Sequence, residues 1–311
     1  MPQRQPFTAL CQALTRHPSA GRADLHVHTT HSDGTYTPAQ VVDLARRAGL
    51  AALAITDHDT LGGVSAARQA ALGSTLEVVP GVEITTEHRQ RELHLLGYFV
   101  ALDHAGLTAA LAEIRRQRVE RFREMIERLR GRGVSLENAE QRVPGSPEAL
   151  GRRHLAEMLV RARRVATVRE AFARYLGDRG DVAVPKKRLP VAEALSLVRA
   201  AGGVAAWAHP PYDCKQEDLA ELRDHGLGAV EVEYPDVRRS RVLKLRGWAE
   251  RLGLAVTGGS DCHGPGRRGV GSCTISAEEF ARLRPSTANG RRQPAGMAPN
   301  QPADAGRSPC Q

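Results

Sequence analysis

Aromatic residues make up only 4% of this 311-residue chain, although lysine and arginine outnumber aspartate and glutamate by 44 to 35. A surface that grips single strands interleaves stacking rings with its positive charge, so the cation excess has no such platform to go with it. Cysteine is also scarce: five residues, at 11, 214, 262, 273 and 310, none in a CxxC pair. That spacing disfavours a sulfur-built zinc site and a disulfide framework, and fits free thiols in a reducing cytoplasm. Long apolar runs are missing too. Leu50–Ile55 is typical, whereas a membrane-spanning helix needs about 20 apolar residues. No membrane partner is expected, and residues 1–21 read as a short arm, not a signal peptide.

What is present is charge and alternation. A formal net charge of +9 favours anionic partners, either phosphorylated small molecules or nucleic acid. Strand-like runs cover Asp24–Thr29, Leu53–Thr56, Leu76–Thr85, Glu92–Val100, Gly203–Ala208, Ala229–Tyr234 and Ala255–Gly258. Helical periodicity separates several of them, as at Pro38–Gly49 and Val191–Ala201. Such alternation predicts a parallel α/β architecture, open or closed. From 102 to 185 the rhythm changes to helix alone, with Phe122, Met125, Ile126 and Leu129 as an apolar stripe. Between Glu113 and Arg132 the other positions hold eight arginines and four glutamates, the pattern of a solvated helix face. This stretch is expected to be a helical cap inserted into a domain made of 22–101 and 186–283. The composition of 284–311 reads as a disordered tail.

Metal-competent side chains recur at the ends of the strand-like runs. Asp24-Leu-His26-Val-His28 places His26 and His28 on one face of an extended strand, where two imidazoles can grip one ion. Asp33 follows. The next runs carry Asp57-His58-Asp59, Glu83 and His94, and after the cap come His209 and Asp261-Cys-His263. Parallel β/α folds gather their active sites at strand C-termini. Six of the twelve histidines fall in this set. The donors are nitrogen and oxygen, which suits Mn2+, with Zn2+ or Fe2+ as alternatives. Nine candidate ligands (His26, His28, Asp33, His58, Glu83, His94, His209, Asp261 and His263) exceed what one ion can use, so two or three ions are expected. Cys262 lies between two candidates, but alternation turns it away.

Together, Asp24-Leu-His26-Val-His28, Thr56-Asp57-His58-Asp59, Pro80-Gly-Val-Glu83, Ala208-His209-Pro210 and Gly259-Ser-Asp261-Cys-His263-Gly264 resemble the PHP (polymerase and histidinol phosphatase) superfamily, over roughly residues 22–283. The resemblance implies a distorted seven-stranded β/α barrel of TIM-like type, with three divalent ions bound. One ion would take His26, His28, Glu83 and Asp261. A second would share Glu83 and take His94 and His209, and a third would take Asp33, His58 and His263. Asp33 stands where some relatives use histidine. Asp24, Asp57 and Asp59 would orient imidazoles, a task that most metal-bound histidines need done. Catalysis would rest on Glu83, Asp261 and His263.

Gly151-Arg152-Arg153-His154, Tyr175-Leu176 and Val184-Pro185 resemble one branch of that family, which contains nucleoside 3′,5′-bisphosphate phosphatases and a 5′-to-3′ trimming ribonuclease. By that likeness Arg152, His154 and Lys186 would meet substrate phosphate. The expected activity is hydrolysis of phosphomonoesters, chiefly nucleoside bisphosphates, with action on 5′ ends of short RNA or DNA. The alternatives are another phosphometabolite, such as histidinol phosphate, or a non-catalytic module that supports a polymerase or binds nucleic acid. No obligate protein partner is expected.

Overall fold

A computed structural model describes residues 21–136, 150–177, 180 and 182–285. Residues 1–20 of the expected arm and 286–311 of the expected tail lie outside the described residues, as do 137–149, 178, 179 and 181 of the expected cap. The strands are β1 (Ala23–Asp24), β2 (Ala52–Ile55), β3 (Glu77–His88), β4 (Arg91–Tyr98), β5 (Leu189–Pro190), β6 (Val204–Trp207), β7 (Ala229–Glu233) and β8 (Ala255–Gly258). They join in the order β1-β2-β3-β4-β6-β7-β8, with the two-residue β5 beside β3. The amide of Leu25 donates to the Gly258 carbonyl at 3.1 Å, so the ends of the path meet in a nearly closed seven-stranded barrel.

Around it lie α1 (Pro38–Arg47), α2 (Gly62–Ala70), α6 (Val191–Ala200), α7 (Gln216–Asp224), α8 (Arg239–Leu252) and α9 (Ala277–Leu283). Helix α1 starts at a capping box in which Thr37 and Gln40 satisfy each other's backbone amides, with Pro38 next. Period-two alternation sorts the strand residues. On β4, Leu93 and Leu95 pack outward with the helices, while Leu96 and Tyr98 join Ala52, Ala54 and Ala206 in a second cluster. Tyr98 meets Thr257 of β8 at 3.0 Å, a hydrogen bond that links non-neighbouring strands. Glu83 and His94 share parity with the inner residues, Glu231 does the same on β7, and the sheet thereby aims all three at one end of the barrel.

One strand corrects the parallel reading. β4 runs antiparallel to both β3 and β6, whereas the other pairings in the path are parallel. The cause is a two-residue hairpin at Arg89 and Gln90, both with positive φ (50° and 63°). That is the turn whose twist matches paired strands, normally built from Asn-Gly. With arginine and glutamine in those places, the turn left no signal. The reversal matters for function, because it lets the first half of β4 bring His94 to the barrel end where the parallel strands finish.

Helix α3 (Ala105–Gly131) spans two packing environments. Leu107, Leu111 and Ile114 pack with barrel residues. Phe122, Met125, Ile126 and Leu129 pack instead with residues of α4 (Arg152–Arg161), α5 (Val168–Ala171) and the π-helical turn Phe172–Leu176, among them Leu155, Leu159 and Leu176. On one side, Arg116 pairs with Glu113 and Arg130 with Glu127, the expected solvated face. Arg115, Arg118 and Arg121 lie at intervals of three on another side, and Arg118 is only 9% exposed. The charge run is therefore not all solvent-facing.

Left-handed backbone costs a non-glycine residue roughly 1–2 kcal/mol. Gln90→Gly should accordingly stabilise the protein by roughly 0.5–1 kcal/mol, after the entropic cost of glycine. The urea midpoint should rise with an unchanged slope.

Candidate metal centre

Glu83 lies in the interior of β3, and its carboxylate is 1% exposed. Five imidazoles surround it. One oxygen, Oε2, has His58 Nδ1 at 3.1 Å, His28 Nε2 at 3.2 Å and His26 Nε2 at 3.4 Å. The other, Oε1, meets His94 Nδ1 at 2.8 Å and His209 Nε2 at 3.2 Å. Asp261 Oδ1 lies 3.5 Å from His26 Nε2, 3.4 Å from His28 Nε2 and 3.5 Å from His263 Nδ1. Asp33 Oδ1 lies 3.2 Å from His263 Nε2 and 3.7 Å from His28 Nδ1. All nine residues singled out in the sequence therefore meet in one cluster.

Three groups within it have donor atoms close enough to share an ion: His26, His28 and Glu83; His58, Glu83 and His94; and His28, Asp33, His58 and His263. His26 Nε2, His28 Nε2, His58 Nδ1 and Asp33 Oδ1 are buried without a hydrogen-bond partner. They approach carboxylate oxygens, or in the case of Asp33 imidazole nitrogens, at 3.1–3.7 Å, misaligned for hydrogen bonding. Buried polar atoms left in that state are uncommon. Lone pairs converging on shared points are what divalent ions require, so the donor set fits them. Cys262 belongs instead to the buried apolar cluster that contains Val27, Val41 and Ile55, and its thiol donates to the Gly264 carbonyl at 3.6 Å.

Burial opposes charge throughout the cluster, yet opposite charges override it at several groups. Burial pulls His28 down, but Asp261 and Glu83 raise it to about 10. His94 is likewise raised to about 9, against burial, by Glu83 and Glu92. His26 is held well above the usual imidazole range by Glu231, Glu83 and Asp261. Burial prevails at His58, lowering it to about 3, helped by His28 and His94. Glu83 is held well below the carboxylate range by His58, His94 and His26 despite its burial.

Strained backbone marks the cluster. Asp59, His209 and Asp261 have φ of 52°, 28° and 47°, a region unusual for residues with a side chain. Gly259 has no room for a side chain, because a Cβ there would lie 2.3 Å from the His26 amide nitrogen.

The supporting carboxylates differ from expectation. Asp24 accepts hydrogen bonds from the backbone amides of Ser260 and Gly271, and burial raises it to about 6. Asp57 holds Thr29 and the Ser32 hydroxyl, and Ser32 in turn lies 3.4 Å from His28 Nδ1. Asp59 binds Thr85 and the Arg118 guanidinium. Asp24 and Asp59 thus hold backbone, Thr85 and Arg118 instead of imidazoles, and Asp57 reaches the His28 imidazole only through Ser32. Direct contact with imidazoles falls to two residues the sequence reading passed over. Glu231 meets His26 Nδ1 at 3.0 Å and accepts from the His209 amide at 2.6 Å. Glu92 meets His94 Nε2 at 3.0 Å. The signal for Glu231 was faint: an acidic residue inside the apolar run Ala229–Tyr234.

The cap residues are also redistributed. Both ring nitrogens of His154 meet backbone: Nδ1 accepts from the Gly151 amide and Nε2 meets the Ser32 carbonyl at 3.1 Å. With both nitrogens engaged by backbone, it joins the cap to the loop between His28 and Asp33. Burial lowers its pKa, in keeping with a neutral ring. Arg152 donates to the Leu176 carbonyl and lies over the Phe172 ring. Lys186 pairs with Glu92 at 3.0 Å, and burial with Arg118 nearby lowers it to about 8. Arg118, unremarked in the sequence, docks α3 onto Asp59 and Thr85.

Comparison with known proteins assigns residues 24–170 to the PHP domain. The 5′-3′ exoribonuclease Rnm of Salmonella typhimurium is 34% identical over 251 residues, covering 78% of this chain and 85% of that one. The 3′,5′-nucleoside bisphosphate phosphatase of Chromobacterium violaceum is 32% identical over 252 residues, covering 79% and 88%. A Bifidobacterium adolescentis crystal structure, of a candidate metal-dependent phosphoesterase, superposes with a TM-score of 0.79 at 30% identity and covers 86% and 96%. No helix among the described residues is long and apolar enough to cross a membrane.

Two outcomes follow from the geometry. Glu231→Gln should weaken divalent-ion affinity about 10–100-fold, as loss of an imidazole-orienting carboxylate does, measured by ion titration of the metal-stripped protein. Second, His28 at about 10 and His94 at about 9 carry protons at pH 7 in the metal-free protein, and ion ligation needs neutral imidazole. Ion uptake at pH 7 should release protons, seen by calorimetry in buffers of different ionisation enthalpy, and affinity should climb from pH 7 to 9. The same raised values stabilise the metal-free fold in full below the ordinary imidazole value of 6.5, and that stability fades as pH passes 9 to 10.

Proposed function

The chain belongs to the PHP family of metal-dependent phosphoesterases, and on that premise we propose that it removes phosphate from nucleoside 3′,5′-bisphosphates and acts on the 5′ ends of short RNA or DNA. The observation that carries the reading is the convergence of His26, His28, His58, His94 and His209 on the Glu83 carboxylate, beneath a cap whose inner side bears arginines. The two relatives above act, by their names, on a nucleoside bisphosphate and on RNA, which supports a nucleotide over an amino-alcohol phosphate such as histidinol phosphate. A module that had lost its activity would have no reason to keep every one of nine donors converged in one cluster.

Three divalent ions, Mn2+ by preference, would occupy the cluster. His26, His28, Glu83 and Asp261 would hold one; Glu83, His94 and His209 a second; and Asp33, His58 and His263, with His28 within reach, a third. Bound there, the ions would supply electrophilic activation of the phosphoryl group and of water. The protein's own residues do the positioning, which together with electrostatics accounts for most of the catalysis in phosphoryl transfer. Glu83 would hold ions on both sides, because each of its oxygens addresses a different set of imidazoles. Asp261 and His263 would place further donors where the cluster opens into an adjoining cavity. Lys186 and Arg152 would balance phosphate charge from the cap side, and His154 would keep the cap seated on the 28–33 loop. The enzyme is expected to act in the cytoplasm.

A phosphate-release assay with added Mn(II) tests this by comparing adenosine 3′,5′-bisphosphate, AMP, histidinol phosphate and 5′-phosphorylated short RNA. The bisphosphate should be turned over fastest. Glu83→Ala should abolish turnover and reduce bound ion while circular dichroism stays unchanged. Normal rates in that variant would refute the shared-ion mechanism.

A further inference from the structure

A cavity of about 370 Å3 opens beside the cluster, with walls that include Thr35, Arg153, Asp261, His263, Arg267 and Arg268. Asp261 and His263 belong to the cluster itself, so cavity and cluster are continuous. The remaining charged wall residues are three guanidinium groups, two from the loop after His263 and one from the start of α4. Neither the mechanism above nor the relatives' names assign them a task.

Their present partners are weak. Arg153 lies 3.3 Å from Glu157, and Arg267 lies 3.4 Å from Asp236, pairs that are largely exposed. Exposed ion pairs of this kind contribute little and rearrange readily. Arg268 contacts Asp236 at 3.4 Å and the outer oxygen of Asp261 at 2.9 Å, leaving the inner oxygen to the imidazoles. By contrast, Arg118 is locked on Asp59, and Arg121 donates to the Val184 carbonyl. The loop bearing Arg267 and Arg268 is anchored at its base: the Thr35 amide donates to the His263 carbonyl at 2.8 Å, and a Cβ on Gly264 would collide with the Thr35 hydroxyl. Its tip passes through Gly264 and Gly266, both at positive φ (149° and 146°). A fixed base with guanidinium groups at the tip suits capture of an anion that arrives with the substrate. Guanidinium groups bind phosphate oxygens in paired hydrogen bonds, which a carboxylate at 3.4 Å does not equal.

We propose that this cavity binds the phosphoryl group that the metal cluster does not, with Arg153 and Arg267 as its specificity-determining residues and Arg268 linking it to Asp261. The inference rests on the phosphoesterase reading above. The ligand is a second phosphate on the same substrate, either the other monoester of a nucleoside bisphosphate or the 5′-terminal phosphate of an oligonucleotide whose first internucleotide bond is cut at the cluster. The site explains how one cluster could favour substrates with two phosphates over those with one.

The experiment uses the full-length, Mn(II)-loaded protein and the double variant Arg153→Ala/Arg267→Ala, with Arg267→Glu as a charge-reversal control. Steady-state constants are measured for adenosine 3′,5′-bisphosphate, AMP and the dinucleotide pApA. The ratio of kcat/KM for the bisphosphate to that for AMP should fall about tenfold or more, a change equivalent to about 1.4 kcal/mol, mainly through KM, with Arg267→Glu in the same direction. A matching loss for pApA extends the site to the 5′-terminal phosphate of an oligonucleotide, and a loss confined to the bisphosphate restricts it to the mononucleotide. An unchanged ratio in active variants overturns the subsite and leaves the phosphoesterase reading standing. Absence of phosphate release from every substrate by the parent protein overturns that reading, and the subsite with it.

Discussion

A single carboxylate, buried and ringed by five imidazoles, is the constraint around which this molecule is arranged. Glu83 is 1% exposed, and an isolated charge at that depth would be strongly disfavoured. Its neighbours resolve the cost in two ways. In the metal-free protein His26, His28 and His94 hold protons and neutralise the surrounding carboxylates. Divalent ions held by His26, His28, Glu83 and His94 would meet the same charge balance in place of those protons. Stability and function therefore draw on the same contacts. The five imidazoles arrive from four segments (His26 and His28 after β1, His58 after β2, His94 on β4 and His209 after β6), so the cluster also ties the barrel together at its mouth.

The structure around that ring supplies direction. Left-handed backbone at Asp59, His209 and Asp261 turns chain segments just beyond strand ends so that their side chains face the cluster or its supports. The antiparallel β4 brings His94 to the same end from the opposite chain direction. Helix α3 then connects the barrel to the cap through one continuous element, its first half in the barrel core and its second in the cap core. Arg118 from its middle seals Asp59, while His154 from α4 holds the Ser32 carbonyl. The cap is thus fastened to the two loops that carry His58 and Asp33.

Much of this was legible in the sequence, and the rest was hidden for identifiable reasons. The H-x-H pair at His26 and His28, the recurrence of histidine and acid after each apolar run, and the apolar stripe from Phe122 to Leu129 all report local geometry, which short-range patterns encode. Strand direction is not encoded that way: the Arg89-Gln90 turn adopts a conformation usually flagged by Asn-Gly, so the hairpin went unseen. Glu231 looked like an ordinary strand residue because its partners, His26 and the His209 amide, lie on other segments, while Glu92, two residues before His94 on β4, looked like one more acid at the start of a strand. The arginines of α3 looked uniformly solvated, since only tertiary packing separates Arg118 from Arg116. His154 carried a motif that pointed to substrate, and only the fold shows its two nitrogens occupied by backbone.

The central claim is that Glu83 is shared between bound ions. Anomalous diffraction from crystals grown with Mn(II) tests it most directly. The account predicts strong peaks on both sides of the Glu83 carboxylate, one beside His26 and His28 and one beside His94 and His209, each at a coordination distance of about 2.0–2.2 Å from a carboxylate oxygen. Peaks confined to the surface, or a Glu83 side chain that touches no ion in a fully loaded crystal, would contradict it.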